Sequence, residues 1–301
     1  MTDYRHSLKF GTVLSPLAGK AADLVAQARL ADAAGLDLVG VIDHPYRPDF
    51  LDSFTLLAYI AGQTQRITVF SDVACLPLRP PAVLAKAAAS LALLAGDRVV
   101  LGLGAGGLWS EIASIGGPVR SPGQAVQALS EAIDVIRALT SGTGKSDYYG
   151  NFYVLDGAAL GPVPRTGLQL WIGAFRPKMF RLIGEKGDGW IPSDLFMPPA
   201  QLSEGNQRID DAALASGRSP SSIRRLYNIS GHFRSHAADG GFLDGTPQLW
   251  VERLTELALN QGISGFILSP GDDPAEQLQI FAHEVAPAVS EAVAKARGPL
   301  P

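Results

Sequence analysis

The sequence predicts an α/β protein of the (β/α)8 TIM-barrel class, and three observations lead to that fold class. Apolar stretches and helical stretches alternate eight times along the 301 residues. The apolar stretches are nearly continuous rather than alternating with polar residues, which is typical of parallel strands covered by helices. Eight such units fit a closed barrel better than an open doubly wound sheet, because barrels run to about 250 residues or more as one unit.

Glycines, prolines and polar residues mark the elements in the first half of the chain. The first helix ends before Gly35, where a C-cap glycine is expected. Ser53 is a plausible N-cap of the second helix. Strands are predicted at 9–15, 36–43, 67–74 and 99–104, with helices at 21–34, 53–62, 82–95 and 124–140.

The second half repeats the strand–helix order, with Pro177 and Pro247 in the first turns of two helices. Two segments, 142–168 and 232–246, read as insertions, and the first could form a small hairpin or an extended excursion. We predict one domain over 1–301. Strands are predicted at 168–174, 189–193, 225–233 and 265–270, with helices at 177–186, 199–215, 246–261 and 274–295.

Composition excludes several classes of protein. With 47% hydrophobic and 18% charged residues the chain can bury a large core, and its net charge of −4 argues against a nucleic-acid partner. The single cysteine, Cys75, excludes an internal disulfide and suits a reducing compartment. We find no apolar leader and no run of 18 apolar residues. We therefore expect a cytoplasmic protein without a membrane partner.

The segment from Val99 to Pro118 contains four glycines within six residues, Gly102, Gly104, Gly106 and Gly107. The spacing matches the dinucleotide fingerprint G-x-G-x-x-G. It lies in the fourth strand–helix unit, however, and about fifteen loop residues separate it from the next long helix, unlike a Rossmann motif. Two interpretations remain. In the first, the glycines allow other residues to pack closely against the end of the strand. In the second, backbone without side chains contacts a flat ligand. We favour the second.

Active sites of barrels form at the carboxyl ends of the strands, where His44 is the best candidate for proton chemistry. It follows Asp43 at the end of the second strand, and an imidazole titrates near neutral pH. The alternative is a structural histidine bonded to a loop carbonyl. Asp72 and Glu111 are the nearest carboxylates, although Glu111 would equally suit an outward position at a helix start.

Other residues at the strand ends suggest ligand contacts rather than metal or acyl chemistry. Arg176 and Lys178 flank Pro177, and two cations at a helix N-terminus form either a phosphate-sized site or a solvated basic turn. Trp109 and Phe175 could face a planar ring or pack in the core. The first strand lacks His-x-His and no turn carries G-x-S-x-G, so we expect no catalytic metal and no acyl transfer.

With these residues assembled, the chain resembles the bacterial luciferase-like family of flavin- and deazaflavin-dependent oxidoreductases over nearly its whole length. The resemblance lies in the order and spacing of four segments, VGVIDH ending at His44, 71–107, 148–155 and 168–190. It implies a TIM barrel of the luciferase-like type with the cofactor ring across the strand ends, and a homodimer. The coenzyme F420 (deazaflavin) branch is the most similar.

The resemblance also implies roles for individual residues. Asp43 would contact the cofactor and His44 would transfer a proton. A non-proline cis peptide at Ser71-Asp72 or Asp72-Val73 would support the ring, and a phosphate-side group would follow the fifth strand. The implied cofactor-binding residues are Asp43, Ser71, Asp72, Val73, Cys75, Ala105, Gly106, Ser110, Phe175, Arg176, Lys178 and Met179.

Two positions depart from the sugar-phosphate dehydrogenases of that branch. Gly107 stands where those enzymes carry an acid-base glutamate, and Phe175-Arg176 replaces a glycine pair. Both departures argue against sugar-phosphate oxidation and weaken the choice between F420 and FMN.

The function we predict is hydride transfer between a reduced flavin-type cofactor and a small organic substrate, with F420 favoured by Asp43-His44. One alternative is an FMN-dependent monooxygenase that receives reduced cofactor from a partner reductase. The other is a ligand-binding barrel without catalysis. The identity of the substrate does not follow from the sequence.

Overall fold

Eight parallel strands close into a barrel in the computed structural model of the chain, which describes residues 3–142, 144–235 and 241–298. Each strand pairs with the next along the chain, and the first pairs with the last. The predicted fold class is therefore confirmed. The strands are β1 (Lys9–Leu14), β2 (Leu38–Val41), β3 (Thr68–Ser71), β4 (Val99–Gly104), β5 (Leu170–Ile172), β6 (Gly189–Trp190), β7 (Arg224–Ser230) and β8 (Gly265–Ser269).

A helix follows every strand and covers the outside of the barrel. The last of these helices contains a π-helical turn, Phe281–Val285, between two α-helical segments. The helices are α1 (Ala21–Ala33), α2 (Ser53–Gln63), α3 (Pro81–Leu94), α4 (Pro122–Thr140), α5 (Pro177–Lys186), α6 (Leu202–Ala215), α7 (Pro247–Gln261) and α8 (Pro274–Ile280, Phe281–Val285 and Ala286–Arg297).

The interior of the barrel is filled with side chains, as in other (β/α)8 barrels. A separate cluster of buried apolar residues takes one residue from each strand or its immediate continuation. A larger cluster fills the layer between the strands and the helices. Ligand space inside the barrel is therefore confined to its ends. The interior residues are Val13, Leu38, Phe70, Val100, Trp171, Ile191, Leu226 and Ile267.

The local signals at helix ends were correct in most cases and wrong at α2. Gly35 follows the C-cap of α1 with a φ of 90°, a conformation that glycine adopts without a Cβ penalty. At α2 the N-cap is Asp52, whose carboxylate accepts a hydrogen bond from the Thr55 backbone N–H at 2.8 Å. Ser53 is the first helical residue, because its hydroxyl instead donates to Asp43 at 2.8 Å.

Both segments that were predicted as insertions stand outside the regular alternation, as far as the structure describes them. The first holds an antiparallel hairpin of Lys145–Tyr149 and Val154–Ala159, one of the two forms predicted for 142–168. In the second, His232–Phe233 pairs with Asp244–Gly245, whereas 236–240 of the predicted insertion and loop lie outside the described residues. The assignment of 1–301 to one domain stays a prediction. None of the described helices is long and apolar enough to cross a membrane.

The glycine at position 102 is required by close packing between β4 and the segment after β3. A Cβ at Gly102 would clash with the carbonyl oxygen of Ser71, whereas a Cβ at Gly107 would meet open space. We expect Gly102→Ala to lower the free energy of unfolding by about 1–3 kcal/mol, because backbone on both sides must shift. Gly107→Ala is the control and should change it by less than about 0.5 kcal/mol. Urea denaturation of both variants measures the difference, and equal stabilities would contradict this packing argument.

Candidate active site

A cavity of about 300 Å³ opens at the carboxyl ends of the barrel strands. This is the end at which barrel enzymes carry their active sites. The volume of the cavity lies at the lower end of the range found for ligand pockets. The lining is mainly apolar, with a few polar groups that converge from β2, β3 and β7. The lining residues are Asp43, His44, Tyr46, Asp72, Val73, Ala74, Cys75, Gly104, Ala105, Gly106, Gly107, Leu108, Gly173, Ala174, Phe175, Ile191, Pro192, Ser193, Phe196 and Asn228.

The segment that continues β3 forms part of the cavity floor. The peptide bond between Asp72 and Val73 is cis, at one of the two positions that the resemblance implied. Val73 packs where a Cβ at Gly104 or Gly173 would stand, 2.7 and 3.0 Å from its methyl carbons. Close packing, the first interpretation of the glycine-rich segment, is thus seen at Gly102 and Gly104, and contact with a flat ligand stays a prediction. The first two glycines of the segment make room for this floor, and the next two border the cavity.

Asp43 is buried at the end of β2, and its carboxylate is fully engaged by the protein. Arg79 binds both oxygens, with Nε to Oδ2 at 2.6 Å and Nη2 to Oδ1 at 2.7 Å. The backbone N–H of Cys75 and the hydroxyl of Ser53 each donate to it at 2.8 Å. The bidentate ion pair offsets the cost of burying the charge. Asp43 therefore joins β2, α2 and the segment after β3, next to the cavity.

His44 lies at the rim of the cavity between two aromatic rings. Its ring centroid is 5.3 Å from that of Tyr46 and 6.2 Å from that of Phe50, with small interplanar angles in both cases. Within the described part of the chain, neither imidazole nitrogen has a hydrogen-bond partner, so the structure does not support the structural-histidine alternative. Partial desolvation lowers the pKa of His44 below 6.5, although the Asp43 charge acts in the opposite direction. The imidazole is consequently neutral at pH 7 and able to accept a proton.

Asp72 reaches across the barrel from β3 to β7. Its Oδ1 accepts a hydrogen bond from Nδ2 of Asn228 at 3.2 Å. Burial raises the pKa of Asp72 to about 7, and the bond from Asn228 opposes this rise. The amide oxygen of Asn228 is buried and has no hydrogen-bond donor among the described residues. This carboxyl thus differs from Asp43, which is paired with the guanidinium of Arg79.

The structure brings seven of the predicted cofactor-binding residues and His44 to the cavity. Ser71 is buried below the floor and donates its hydroxyl to the Gly102 carbonyl at 2.8 Å. The remaining four lie outside the lining: Ser110, Arg176 and Lys178 are exposed, and Met179 is buried in the outer core. Their roles toward a cofactor stay predictions. The seven are Asp43, Asp72, Val73, Cys75, Ala105, Gly106 and Phe175.

Two other sequence candidates also lie outside the lining. Glu111 is exposed in a short helix, Trp109–Ser114, within the segment predicted as a loop. The ring of Trp109 packs where a Cβ at Gly106 would stand, 2.9 Å away. Trp109 therefore covers the glycine loop rather than the cavity.

Sequence reasoning missed four residues that shape the site. Arg79 follows β3 in a proline-rich turn, and nothing local indicates its ion pair with Asp43. Asn228 carried a signal, since it is a polar residue in the middle of an apolar strand. Tyr46 and Phe196 lie in loops, where a single aromatic residue predicts no partner. The ring of Phe196 stacks on Phe175 at 5.3 Å, at the apolar edge of the cavity.

The lining fits a flat, partly polar ring. Gly106 and Gly107 present backbone without side chains on one side of the cavity, and Val73 and Ala74 present an apolar surface on another. Asp72 and Asn228 line the cavity with polar side chains, which suit the ring N–H and carbonyl groups that flavins and deazaflavins both carry. The residues present therefore fit a flavin-type cofactor.

The comparison with protein families decides the assignment. Residues 7–239 match the profile of a family described as luciferase-like monooxygenase. The chain belongs to the luciferase-like family. The family resemblance and the enzyme class predicted from the sequence, a flavin- or F420-dependent oxidoreductase, are thus confirmed.

Individual relatives within this luciferase-like family differ in the extent of the match. An F420-dependent glucose-6-phosphate dehydrogenase from Nocardia farcinica is 32% identical over 216 residues, covering 69% of this chain and 63% of that enzyme. An uncharacterized protein from Mycobacterium tuberculosis is 27% identical over 288 residues, covering 86% and 92%. The longer match thus belongs to a relative whose name states no activity.

Solved structures share the luciferase-like fold at low identity. An F420-dependent secondary alcohol dehydrogenase, in complex with an F420-acetone adduct, superposes with a TM-score of 0.83 at 21% identity, covering 94% of this chain and 99% of that chain. The FMN-bound oxygenating constituent of 3,6-diketocamphane monooxygenase from Pseudomonas putida gives 0.76 at 18% identity, with the same coverage. The fold alone therefore accommodates both cofactors.

Proposed function

We propose that this chain transfers a hydride between coenzyme F420 and a small organic substrate, with His44 exchanging a proton with that substrate. The observation that carries the proposal is the position of His44, an imidazole at the cavity rim with no hydrogen-bond partner in the described chain. The relatives named as F420-dependent dehydrogenases support the choice of cofactor.

Some residues of the cavity would bind the cofactor, and His44 would transfer the proton. When bound, F420 would supply a carbon centre that accepts or releases a hydride. Val73 and Ala74 would support its ring, and Gly104 to Gly107 would leave room for its edge. As a hydride leaves the C–H carbon of an alcohol, the hydroxyl proton passes to the imidazole of His44 and a carbonyl forms. In the reverse direction the imidazolium returns that proton.

The cavity edge favours a weakly polar substrate. Leu108, Phe175 and Phe196 line the cavity and are each more than two-fifths exposed. Gly107 adds no acidic group, and the cavity lining contains no lysine or arginine. A sugar phosphate would find no partner for its charge there. An alcohol or carbonyl compound with an apolar substituent would bury that substituent against the aromatic pair.

The second candidate is a monooxygenase that takes reduced FMN from a separate reductase. It is supported by the FMN-bound structure of the same fold. The two candidates differ in their need for oxygen, because a deazaflavin reacts poorly with it.

An anaerobic turnover experiment tests the proposal. The protein is mixed with F420 and a panel of secondary alcohols, and the loss of F420 absorbance is followed with and without oxygen. We expect substrate-dependent reduction at the same rate in both atmospheres. Turnover seen with reduced FMN alone, with one oxygen consumed per product, would establish the monooxygenase instead. Absence of turnover with either cofactor would leave the binding-barrel alternative.

The homodimer and the reductase partner remain predictions. Sedimentation can test the first and co-purification the second.

A further inference from the structure

Asp72 occupies an unusual position, because its side chain spans the centre of the barrel. In the order of the strands, β3 and β7 are four places apart in both directions, so they stand opposite each other. The contact between Asp72 and Asn228 joins these two strands above the packed interior. The carboxyl is therefore at the floor of the cavity, beneath any ligand that lies across the strand ends.

The surroundings of this carboxyl favour its protonated form. No cation of the described chain contacts Asp72, whereas Asp43 on the neighbouring strand receives four hydrogen bonds, two of them from Arg79. Burial without a cation penalises the charged form, which raises the pKa of Asp72 to about 7. The free amide oxygen of Asn228 can accept the carboxylic proton once the amide group turns over. Asp72 and Asn228 can thus form a hydrogen bond in both protonation states of the carboxyl.

The other titratable groups around the cavity do not cover the same pH range. Burial raises the pKa of Tyr46 to about 12 and that of Cys75 to about 11. Asp43 is paired with Arg79, and desolvation lowers the pKa of His44 below 6.5. Among the lining residues from β4 to β8 none is titratable. Asp72 is therefore the lining carboxyl whose pKa is raised toward neutral pH, to about 7.

We propose that Asp72 is a second proton-carrying group of this site, positioned by Asn228, and that a flavin-type ring that has lost a ring proton binds there with uptake of one proton at this carboxyl. The inference rests on the proposed function, because it assumes a flavin-type ring in the cavity. A carboxylate beneath the ring would repel its negative charge, whereas the carboxylic acid can donate a hydrogen bond to it. Asn228 acts as a positioning residue, since its amide touches Asp72.

Two measurements test the proposal, and the first needs no cofactor. The carboxyl of Asp72 is titrated in the free protein by carbon-13 NMR, with the isosteric variant Asp72→Asn used to identify its signal. We expect a midpoint near 7 in the unmodified protein. Asn228→Ala should move this midpoint upward, because the bond from the amide stabilises the ionised form. A midpoint below 5, or no movement in Asn228→Ala, would overturn the proposal.

The second measurement is the affinity for F420, and for reduced FMN under argon, at pH 6 and pH 8. With a midpoint of 7, the protonated fraction falls about tenfold over this range, and the affinity should fall by the same factor relative to Asp72→Asn. Ionisation of the ligand itself affects both proteins equally. An equal pH dependence in both proteins would overturn the linkage while leaving the proposed function intact. Failure of both cofactors to bind at either pH would refute the proposed function and the linkage together, whatever the NMR midpoint.

Discussion

His44→Ala is expected to lower kcat for substrate oxidation by at least about a hundredfold, because general acid–base groups contribute about 10²–10⁴-fold. The dissociation constant of the cofactor should change by less than about threefold, since His44 makes no hydrogen bond that would hold the cavity in shape. Stopped-flow absorbance measures the first quantity and fluorescence titration the second. A parallel loss of affinity and rate would instead assign His44 to cofactor binding.

The control for this variant is His283→Ala. His283 is an exposed residue of the π-helical turn of α8, and its replacement should leave both quantities unchanged. The pH profile provides a further check on His44. Because the pKa of His44 is lowered, its base form predominates at pH 7, and the oxidation rate should fall as the pH drops through a midpoint below 6.5. A profile of the unmodified protein that stays flat down to pH 5 would contradict the role of His44 as proton acceptor.

Arg79→Met is expected to lower the free energy of unfolding by about 3–5 kcal/mol, because it leaves the charge of Asp43 buried without its cation. The side chain of Asp43 is 1% exposed and that of Arg79 is 17% exposed, so water cannot replace the lost partner. The variant should also lose cofactor binding, since Asp43 and Cys75 both border the cavity. Guanidinium denaturation followed by circular dichroism measures the stability.

Two further proteins make this result interpretable. Arg47→Met removes an ion pair with Asp49 in which both side chains are about half exposed, and it should leave the free energy of unfolding nearly unchanged. The double variant Asp43→Asn/Arg79→Met removes the buried charge as well as its partner, and it should regain part of the stability. If Arg79→Met costs no more than Arg47→Met, the buried ion pair does not stabilise the fold.

The fold was predictable from sequence because its signal is repetitive. Eight apolar stretches separated by helices are compatible with few folds. Residues typical of helix ends, such as Gly35 and Pro177, locate those ends within a few residues. His44 was predictable for a related reason. The carboxyl ends of all strands of a barrel lie at the same end of the barrel. A histidine that directly follows a strand is therefore expected near the active site.

The remainder of the site depends on contacts between distant residues, which a single sequence does not contain. Asp43 and Arg79 are 36 positions apart, and Asp72 and Asn228 are 156 apart. The error at α2 has the same origin. Ser53 and Asp52 are both good N-caps, and the choice was made by the tertiary bond from Ser53 to Asp43. Local patterns therefore identified the strand ends, and long-range pairing determined which partners their side chains bind.

We propose that the cavity at the strand ends holds a flavin-type cofactor. The most direct measurement is equilibrium titration of the purified protein with F420 and with FMN, followed by fluorescence, beside the variant Gly107→Trp. A side chain at Gly107 meets open space, so the indole should enter the cavity without disturbing the fold. Gly62→Trp, at the far end of α2, is the matched control. We predict saturable binding of one cofactor to the unmodified protein and to Gly62→Trp, weakened at least about tenfold in Gly107→Trp. Binding of neither cofactor, or equal binding to all three proteins, would contradict the claim.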